Sequence, residues 1–229
     1  QANQIATLGS IDASGQTFTL KDSVPLTQSG ALKADTLVLT NTGGITDLGT
    51  QNNVVNKLGA ISNTAGDFTY ANTGATGVTL TLLGNIDAGT NPLTLDAGNN
   101  PIDLGSGVLT TSKLTVKSTS VQGGNLSSIV GPVNLAPTGA ADTVGLATAS
   151  GFAYNVSSAT IASIKAGANI TTVTIGRTDS TAAMTVVGPA DFGTKPVTLN
   201  AGSIVDSGTQ TITAGSLTLN TNNGLIGSA

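Results

Sequence analysis

The chain lacks cysteine, histidine, tryptophan and glutamate, and it has few charged or aromatic residues. Charged residues make up 9% of the 229 residues and aromatic residues 3%, whereas about a quarter of an ordinary globular domain is charged. Without cysteine there are no disulfides and no thiolate chemistry. Without histidine the Ser-His and Cys-His nucleophile pairs are excluded. Most common catalytic arrangements are therefore unavailable.

Composition also disfavours a nucleic-acid-binding protein, a membrane-spanning protein and a helical fold. The eight basic residues are scattered and the formal net charge is −4, so no basic patch for nucleic acid is present. No apolar run approaches the ~18 residues of a membrane span. All twelve acidic residues are Asp, and there are 30 Gly, which favours turns over helices. The best helical pattern, residues 158–168, is too weak for a helix to be the favoured interpretation.

A three-residue phrase recurs about every 20 positions. It consists of an apolar residue, a middle residue that is usually Thr, and a second apolar residue. From Leu95 onward the third positions of successive phrases are spaced 21, 19, 19, 21, 24 and 20 residues apart. Each phrase is typical of a short strand whose outer side chains share one face, and a period of this length indicates a solenoid. The sequence therefore predicts an all-β fold, a parallel β-helix (β-solenoid) with ~20-residue coils.

Two sets of side chains follow from this pattern. We expect the outer positions to form an inward core ladder: Phe18, Leu20, Leu37, Leu39, Phe68, Tyr70, Leu93, Leu95, Leu114, Val116, Val133, Leu135, Phe152, Tyr154, Val173, Ile175, Val197, Leu199, Leu217 and Leu219. We expect the middle positions to form an outward file of threonines: Thr19, Thr69, Thr94, Thr115, Thr174, Thr198 and Thr218. Thr is favoured at exposed strand positions, so such a file is first of all a structural feature.

A longer internal match supports true repeats. Residues 89–98 match residues 193–202, which lie 104 positions later, or about five coils on. The register is poorer elsewhere, and we expect looped-out insertions near 47–56 and 131–158. Residues 1–229 are thus expected to form a single β-solenoid segment. Because the repeat continues to both termini without a cap, we expect it to be a fragment of a longer chain.

The repeats resemble those of a known family. Residues 212–229, Ile-Thr-Ala-Gly-Ser-Leu-Thr-Leu-Asn-Thr-Asn-Asn-Gly-Leu-Ile-Gly-Ser-Ala, are similar to the repeats of filamentous-haemagglutinin-like exoproteins, large bacterial surface proteins exported by two-partner secretion. The resemblance is closest over 93–116 and 197–229. It implies a right-handed parallel β-helix, an extracellular or cell-surface location and an adhesive role, and it carries no catalytic residues. The Asn-Pro-Asn-Gly-like motifs of the family's secretion domain are missing, so the resemblance implies a segment of the shaft.

The carboxylate and amide side chains leave two alternatives open, catalysis by a pair of aspartates and calcium binding. A carbohydrate-active β-helix enzyme could use Asp96 with Asp103, or Asp87 with Asp96, as acid and base, although one Arg and no Trp leave little to grip a sugar. Asp96, Asn99, Asn100 and Asp103 offer oxygen ligands for calcium, but without the spacing of a known calcium motif. The favoured interpretation is that each Asp makes local hydrogen bonds in a turn. We expect no catalytic residue, no metal and no cofactor.

Threonines and sequons suggest two further surface roles. A regular threonine array could bind ice or another flat surface, but the Thr-x-Thr pairs at 17, 79 and 172 do not share one register. Sequons occur at Asn125, Asn155 and Asn169, and chance explains them in a chain this rich in Asn, Ser and Thr.

The favoured function is a non-catalytic structural and adhesive shaft of a bacterial cell-surface or secreted fibre protein. The alternatives are a secreted carbohydrate-active β-helix enzyme using an Asp pair, and an ice- or surface-binding solenoid. The expected partners are other copies of the chain or the rest of a longer chain, joined through β-edges, and host or cell-surface glycans or proteins. Neither nucleic acid nor a membrane span is expected.

Overall fold

The computed structural model describes residues 2–222 and 224–228. Within them the chain folds as an all-β solenoid of about 10 turns with one short helix, as the repeat pattern predicts. The elements are β1 (Thr7–Leu8), β2 (Ile11–Asp22), β3 (Thr27–Gln28), β4 (Leu32–Asn41), β5 (Thr46–Leu48), β6 (Val54–Ser62), β7 (Phe68–Ala71), β8 (Leu80–Leu82), β9 (Ile86–Asp87), β10 (Pro92–Asp96), β11 (Pro101–Asp103), β12 (Leu109–Thr110), β13 (Lys113–Ser118), β14 (Ser120–Gln122), β15 (Gly131–Pro137), β16 (Val144–Leu146), β17 (Tyr154–Val156), α1 (Ser158–Ala166), β18 (Ile170–Gly176), β19 (Ala183–Val186), β20 (Ala190–Asp191), β21 (Pro196–Ala201), β22 (Ser203–Asp206), β23 (Ile212–Thr213), β24 (Ser216–Thr221) and β25 (Ile226–Ser228).

The first face of the solenoid is an eight-stranded parallel sheet in the order β5-β7-β10-β13-β15-β18-β21-β24. Seven of the recurring phrases stack on it in register. Leu93, for example, lies opposite Phe68 on one side and Leu114 on the other. A bridge between Leu26 and Thr46 extends this face to β3, which pairs with β1. Each coil therefore adds one strand to the first face.

The second and third faces begin as long strands that bend around a corner. Strands β2, β4 and β6 pair in parallel, and β6 then divides its partners between two strands. Lys57 and Leu58 pair with β8 on the second face, whereas Ile61 and Ser62 pair with β9 on the third. From that point the second face continues through β11, β14, β17, β16, β19, β22 and β25, and the third through β9 and β12.

Three phrases lie elsewhere than on the first face. The phrases beginning at Phe18 and Leu37 belong to β2 and β4, where Leu37 pairs with Leu58 and Leu39 with Ile61. The phrase that ends at Tyr154 lies at the start of β17 on the second face. The expectation of one continuous ladder is therefore wrong for these three. All faces of a solenoid turn apolar residues inward, so one phrase of three letters does not identify its face.

One coil is thicker than the others. After β15 the chain places two strands on the second face, and the order β14-β17-β16-β19 shows that the later strand lies before the earlier one. The connection between them, residues 147–153, begins at Ala147, the one non-glycine residue with positive φ (62°) among the described residues. The helix α1 follows, between β17 and β18. A helix is about 10 Å wide, close to two strand spacings, so it fits beside the doubled strand.

Of the two segments expected to loop out, residues 47–56 lie within a regular coil, whereas residues 131–158 include two longer connections. Residues 47–56 contain the end of β5, a turn and the start of β6, and the turn is fixed by the buried side chain of Asn53. They form a regular part of a coil, and the longer gap between phrases arises because β4 and β5 lie on different faces. Residues 131–158 contain β15, β16 and β17, with connections at 138–143 and 147–153. Within the described part of the chain, no helix has the length and apolar character to cross a membrane.

Candidate functional site

A file of ten outward side chains runs the length of the first face. Seven are consecutive partners in the ladder from Thr69 to Thr218, and Thr7 stacks on Thr27. The bridge at Leu26 and Thr46 places Thr27 beside Asp47, which faces Thr69. The file is Thr7, Thr27, Asp47, Thr69, Thr94, Thr115, Asn134, Thr174, Thr198 and Thr218.

Six members of this file were predicted from the sequence, and one predicted threonine lies elsewhere. Thr19 lies opposite Val38 in the other sheet, so it is not in the file. Thr7 and Thr27 lie in strands of only two residues. Gln28 breaks the phrase at Thr27, and the phrase at Thr7 begins with the small residue Ala6, so neither was recognised. The adjacent outward positions hold Pro92 and Lys113 on one side, not a second rank of threonine. The face therefore presents one file interrupted by Asp47 and Asn134.

Most of the expected core ladder is buried. Phe18, Phe152 and Leu219 are half-buried and Leu217 is exposed, while the other expected members are buried. Leu217 and Leu219 belong to β24, the last strand of the first face, so one side of each has no neighbouring coil among the described residues. The two buried tyrosines have pKa values raised by desolvation. Tyr70 donates its hydroxyl to Asn72 Oδ1 at 2.8 Å.

The aspartates proposed for catalysis each form an Asx turn. The Oδ1 atoms of Asp87, Asp96 and Asp103 accept the backbone N–H of the glycine two residues later, at 2.8, 2.8 and 2.9 Å. Asp47 and Asp191 make the same bond. Asp87, Asp96 and Asp103 end strands on the third, first and second faces respectively. The local role of Asp in turns is therefore visible for each candidate.

The residues considered for calcium and glycosylation are dispersed. Asn100 is buried and donates to the backbone oxygens of Ala75 and Ala97, whereas Asn99 is exposed. Across residues 2–222 and 224–228, no three His, Cys, Asp or Glu side chains are grouped as metal ligands. Of the sequon asparagines, Asn155 is buried, Asn125 is half-buried and Asn169 is exposed.

Buried amides at the corners of the coils form a network that the sequence analysis missed. Asn53 Oδ1 accepts from Gln28 Nε2 and from the backbone N–H of Leu32, both at 2.8 Å. Its Nδ2 donates to the backbone oxygens of Leu48 and Ala71 at 2.8 and 2.9 Å. The signal that could have revealed it is the recurrence of Asn shortly after the strands of the first face. These side chains satisfy backbone groups that the sheets leave open at each corner.

A polar cleft of about 270 Å³ lies where the first face turns toward the second. It is lined by Thr73, Asp96, Gly98, Asn99, Lys117, Thr138 and Arg177. Asp96 and Lys117 are neighbours across β10 and β13. Gly98 has a φ of +59°, and a Cβ there would meet Thr73 Cα at 3.1 Å, so the tight Asp-Ala-Gly turn needs glycine at this position.

A network anchored on Arg177, the one arginine of the chain, fixes one wall of the cleft. Its Nη1 donates to the backbone oxygen of Thr138 at 3.0 Å, and its Nε and Nη2 donate to Asp179 at 2.9 and 2.7 Å. The hydrogen bonds to Asp179 raise the pKa of Arg177, and those from Arg177 lower the pKa of Asp179. Thr138 Oγ1 also lies 3.1 Å from Asn99 Oδ1. The wall is therefore held by side chains from three coils.

Comparisons with family models, curated proteins and solved structures found no match. The fold itself defines the chain as a β-solenoid repeat protein.

Proposed function

We propose that this chain is part of the non-catalytic, adhesive shaft of a bacterial cell-surface or secreted fibre protein of the filamentous-haemagglutinin-like kind. The observation that carries the proposal is the stack of about 10 coils around one hydrophobic core. At ~4.8 Å per coil it makes a rod roughly 50 Å long. Such a stack lengthens by adding coils without changing its cross-section, which suits a spacer that holds a binding surface away from a cell.

The end of the stack supports a role within a larger assembly. Among the residues that the structure describes, strand β24 pairs with β21 alone. Leu217 in β24 and the nearby Leu225 and Ile226 are exposed. An open strand edge over exposed apolar side chains favours pairing with another strand. We propose that the partner is the stack of a second copy.

The alternative of a polysaccharide-cleaving enzyme receives less support. Glycoside hydrolysis by the usual route needs two carboxyl groups that flank one bond. Asp96 lines the polar cleft, but Asp87 and Asp103 do not. Incubation with pectin, alginate and glycosaminoglycans should release no new reducing ends or unsaturated products. Turnover that Asp96→Asn abolishes would favour the enzyme.

The location of the native protein tests the shaft directly. Antibodies raised against these coils should label the outside of producing cells, or fibres released from them, in immunogold electron microscopy. Cells lacking the gene provide the control for labelling. Label confined to the cell interior, or to isolated particles free of any fibre, would contradict the proposal.

A further inference from the structure

The polar cleft owes its shape to the thick coil. The connection after β15 and the connection after β18 are both long, and they pack on each other through backbone bonds such as Thr181 N–H to Ala140 O at 2.8 Å. Arg177 ties the same two connections together through Thr138. They form a wall beside the ends of β10 and β13, which carry Asp96 and Lys117. The result is a groove along the solenoid axis.

Several polar groups in the groove remain available to a ligand. Asp96 uses Oδ1 for Gly98 N–H, and among the hydrogen bonds of the described residues its Oδ2 has no partner. The same is true of Lys117 Nζ and of Asn99 Nδ2. Lys117 and Asn99 are exposed, so their donors face solvent. The groove thus offers one charged acceptor and two donors, carried by the ends of β10 and β13 and by the turn that follows β10.

The balance of charge indicates the kind of ligand. Lys117 and Arg177 contribute two positive charges, and Asp96 and Asp179 contribute two negative charges. Asp142 also acts on Arg177, so this neighbourhood has a small negative net charge. An anionic ligand would gain little from such a field. A hydroxyl group both donates and accepts, so adjacent hydroxyls can pair with the carboxylate and the cation together.

We propose that this cleft binds a neutral oligosaccharide through paired hydroxyl contacts to Asp96, Asn99 and Lys117. The lining residues come from five successive coils, from β7 to β18, and four coil spacings amount to about 19 Å. That length suits a short linear chain of sugar rings lying along the solenoid axis. The inference supplies a ligand class for the adhesive part of the proposed function, and it rests on that proposal.

Binding to the complete 229-residue chain can be measured by ligand-observed NMR titration. The probes are maltotetraose, cellotetraose and tetra-N-acetylchitotetraose, with tetragalacturonate as the anionic comparison. At least one neutral tetrasaccharide should bind saturably and more tightly than tetragalacturonate. Asp96→Asn and Lys117→Gln should each weaken that binding by about tenfold, because each removes a charged hydrogen-bonding group.

Matched variants separate the site from general effects. Asp87→Asn alters the same kind of turn on another face, and Lys113→Gln removes an exposed lysine from the other end of β13. Both should bind like the unaltered chain. Asp96→Asn replaces the carboxylate oxygen that accepts Gly98 N–H by an amide oxygen that can accept the same bond. The thermal unfolding of Asp96→Asn should therefore match that of Asp87→Asn.

Three results would overturn the inference: no binding of any neutral probe, tighter binding of tetragalacturonate, or full binding by Asp96→Asn and Lys117→Gln. Each would leave the shaft proposal standing if immunogold labelling remains on cell-surface fibres. If the antibodies label only the cell interior while the chain still binds a neutral tetrasaccharide, the shaft proposal is contradicted and the binding site is supported.

Discussion

At the corners of the coils, buried asparagine side chains form the hydrogen bonds between coils that backbone pairing forms on the faces. Asn53 makes hydrogen bonds with the backbone of Leu32, Leu48 and Ala71 and exchanges bonds with the side chain of Gln28. It thereby joins several coils through one side chain. An amide suits this position because it carries both donors and acceptors and has no charge to bury.

Replacing this amide should cost more than the loss of one ordinary contact. Asn53→Ala leaves several buried backbone groups without partners, at about 1–3 kcal/mol for each unsatisfied group. We expect a clear fall in the free energy of unfolding, measured by chemical denaturation. The neighbouring Asn52 is exposed, so Asn52→Ala should change it little. Equal effects at the two positions would show that the corner amides do not stabilise the stack.

The aliphatic ladder makes a separate contribution. Leu95 is fully buried between Tyr70 and Val116 in the register of the first face. Leu95→Ala should lower the free energy of unfolding by about 2–5 kcal/mol, through lost apolar burial and the cavity that remains. Leu83→Ala, at an exposed leucine, is the control and should cost far less. A loss at Leu95 no larger than at Leu83 would contradict the stacked core.

At the scale of elements, helix α1 is the clearest departure from expectation. Its apolar pattern is weak, but Ser157 caps its first turn by accepting Thr160 N–H at 3.1 Å. Thr160 Oγ1 then contacts the backbone oxygens of Val121 and Gly123, and Lys165 pairs with Asp191 in β20. Tertiary contacts thus stabilise a helix that intrinsic propensity leaves marginal.

The cap can be tested alone. Ser157→Ala should lower the free energy of unfolding by roughly 1 kcal/mol, since it removes the side-chain acceptor at the helix start. Ser157→Thr keeps a hydroxyl and should recover most of the loss. Thermal unfolding followed by circular dichroism measures both. An alanine variant as stable as the unaltered chain would show that the tertiary contacts of α1 are sufficient.

Sequence reasoning succeeded where one strand has one repeated signal. The phrases at Leu93, Leu114 and Val133 stack in the expected register because their spacings of 21 and 19 residues match one coil. It failed for β2 and β4, which bend around a corner and carry the same phrase on another face. The reversed order of β16 and β17 was also beyond prediction, because no local pattern records which of two parallel strands lies nearer the previous coil.

The candidate site was predictable only in part. Asp96 was singled out from the sequence, but with Asp103 or Asp87 as its partner, whereas the cleft places it with Lys117 and Arg177. Arg177 reaches the cleft through loop packing against Thr138, and those two residues are far apart in the sequence. Local composition identifies turn residues, but it does not show which turns a long connection will bring together.

For the whole molecule, the absence of histidine simplifies the response to pH. Side-chain and backbone hydrogen bonds lower the pKa values of Asp12, Asp35, Asp179 and Asp191; Asn56 acts first on Asp35 and Lys165 on Asp191. A carboxyl group whose pKa is lower in the folded chain stabilises it above the unfolded pKa, and that stability is lost as the pH falls through the folded pKa. The unfolding temperature should therefore be nearly constant between about pH 8 and pH 5, then fall below about pH 4. A marked decrease between pH 8 and pH 5 would contradict this account.

Apolar side chains are exposed in the last coil that the structure describes. Leu217, Leu225 and Ile226 are 41%, 76% and 56% exposed, beside an apolar cavity of about 230 Å³ lined by Ile204 and Ile212, among others. With charged residues at only 9%, little repulsion opposes close approach. We expect the isolated 229-residue polypeptide to associate with a second copy through this end, by apolar contact and β-edge pairing.

Light scattering over a range of concentrations measures this association. Leu217→Lys places a charge on the last strand of the first face and should shift the polypeptide toward monomer, since burying an unpaired charge is costly. Leu83→Lys is the matched control, because Leu83 is 59% exposed in the turn between β8 and β9, well before the last coil; it should associate like the unaltered chain. A polypeptide that stays monomeric at high concentration, with slow amide exchange in β24, would show that the end is stable without a partner. If Leu217→Lys and Leu83→Lys shift the polypeptide toward monomer equally, association uses another surface.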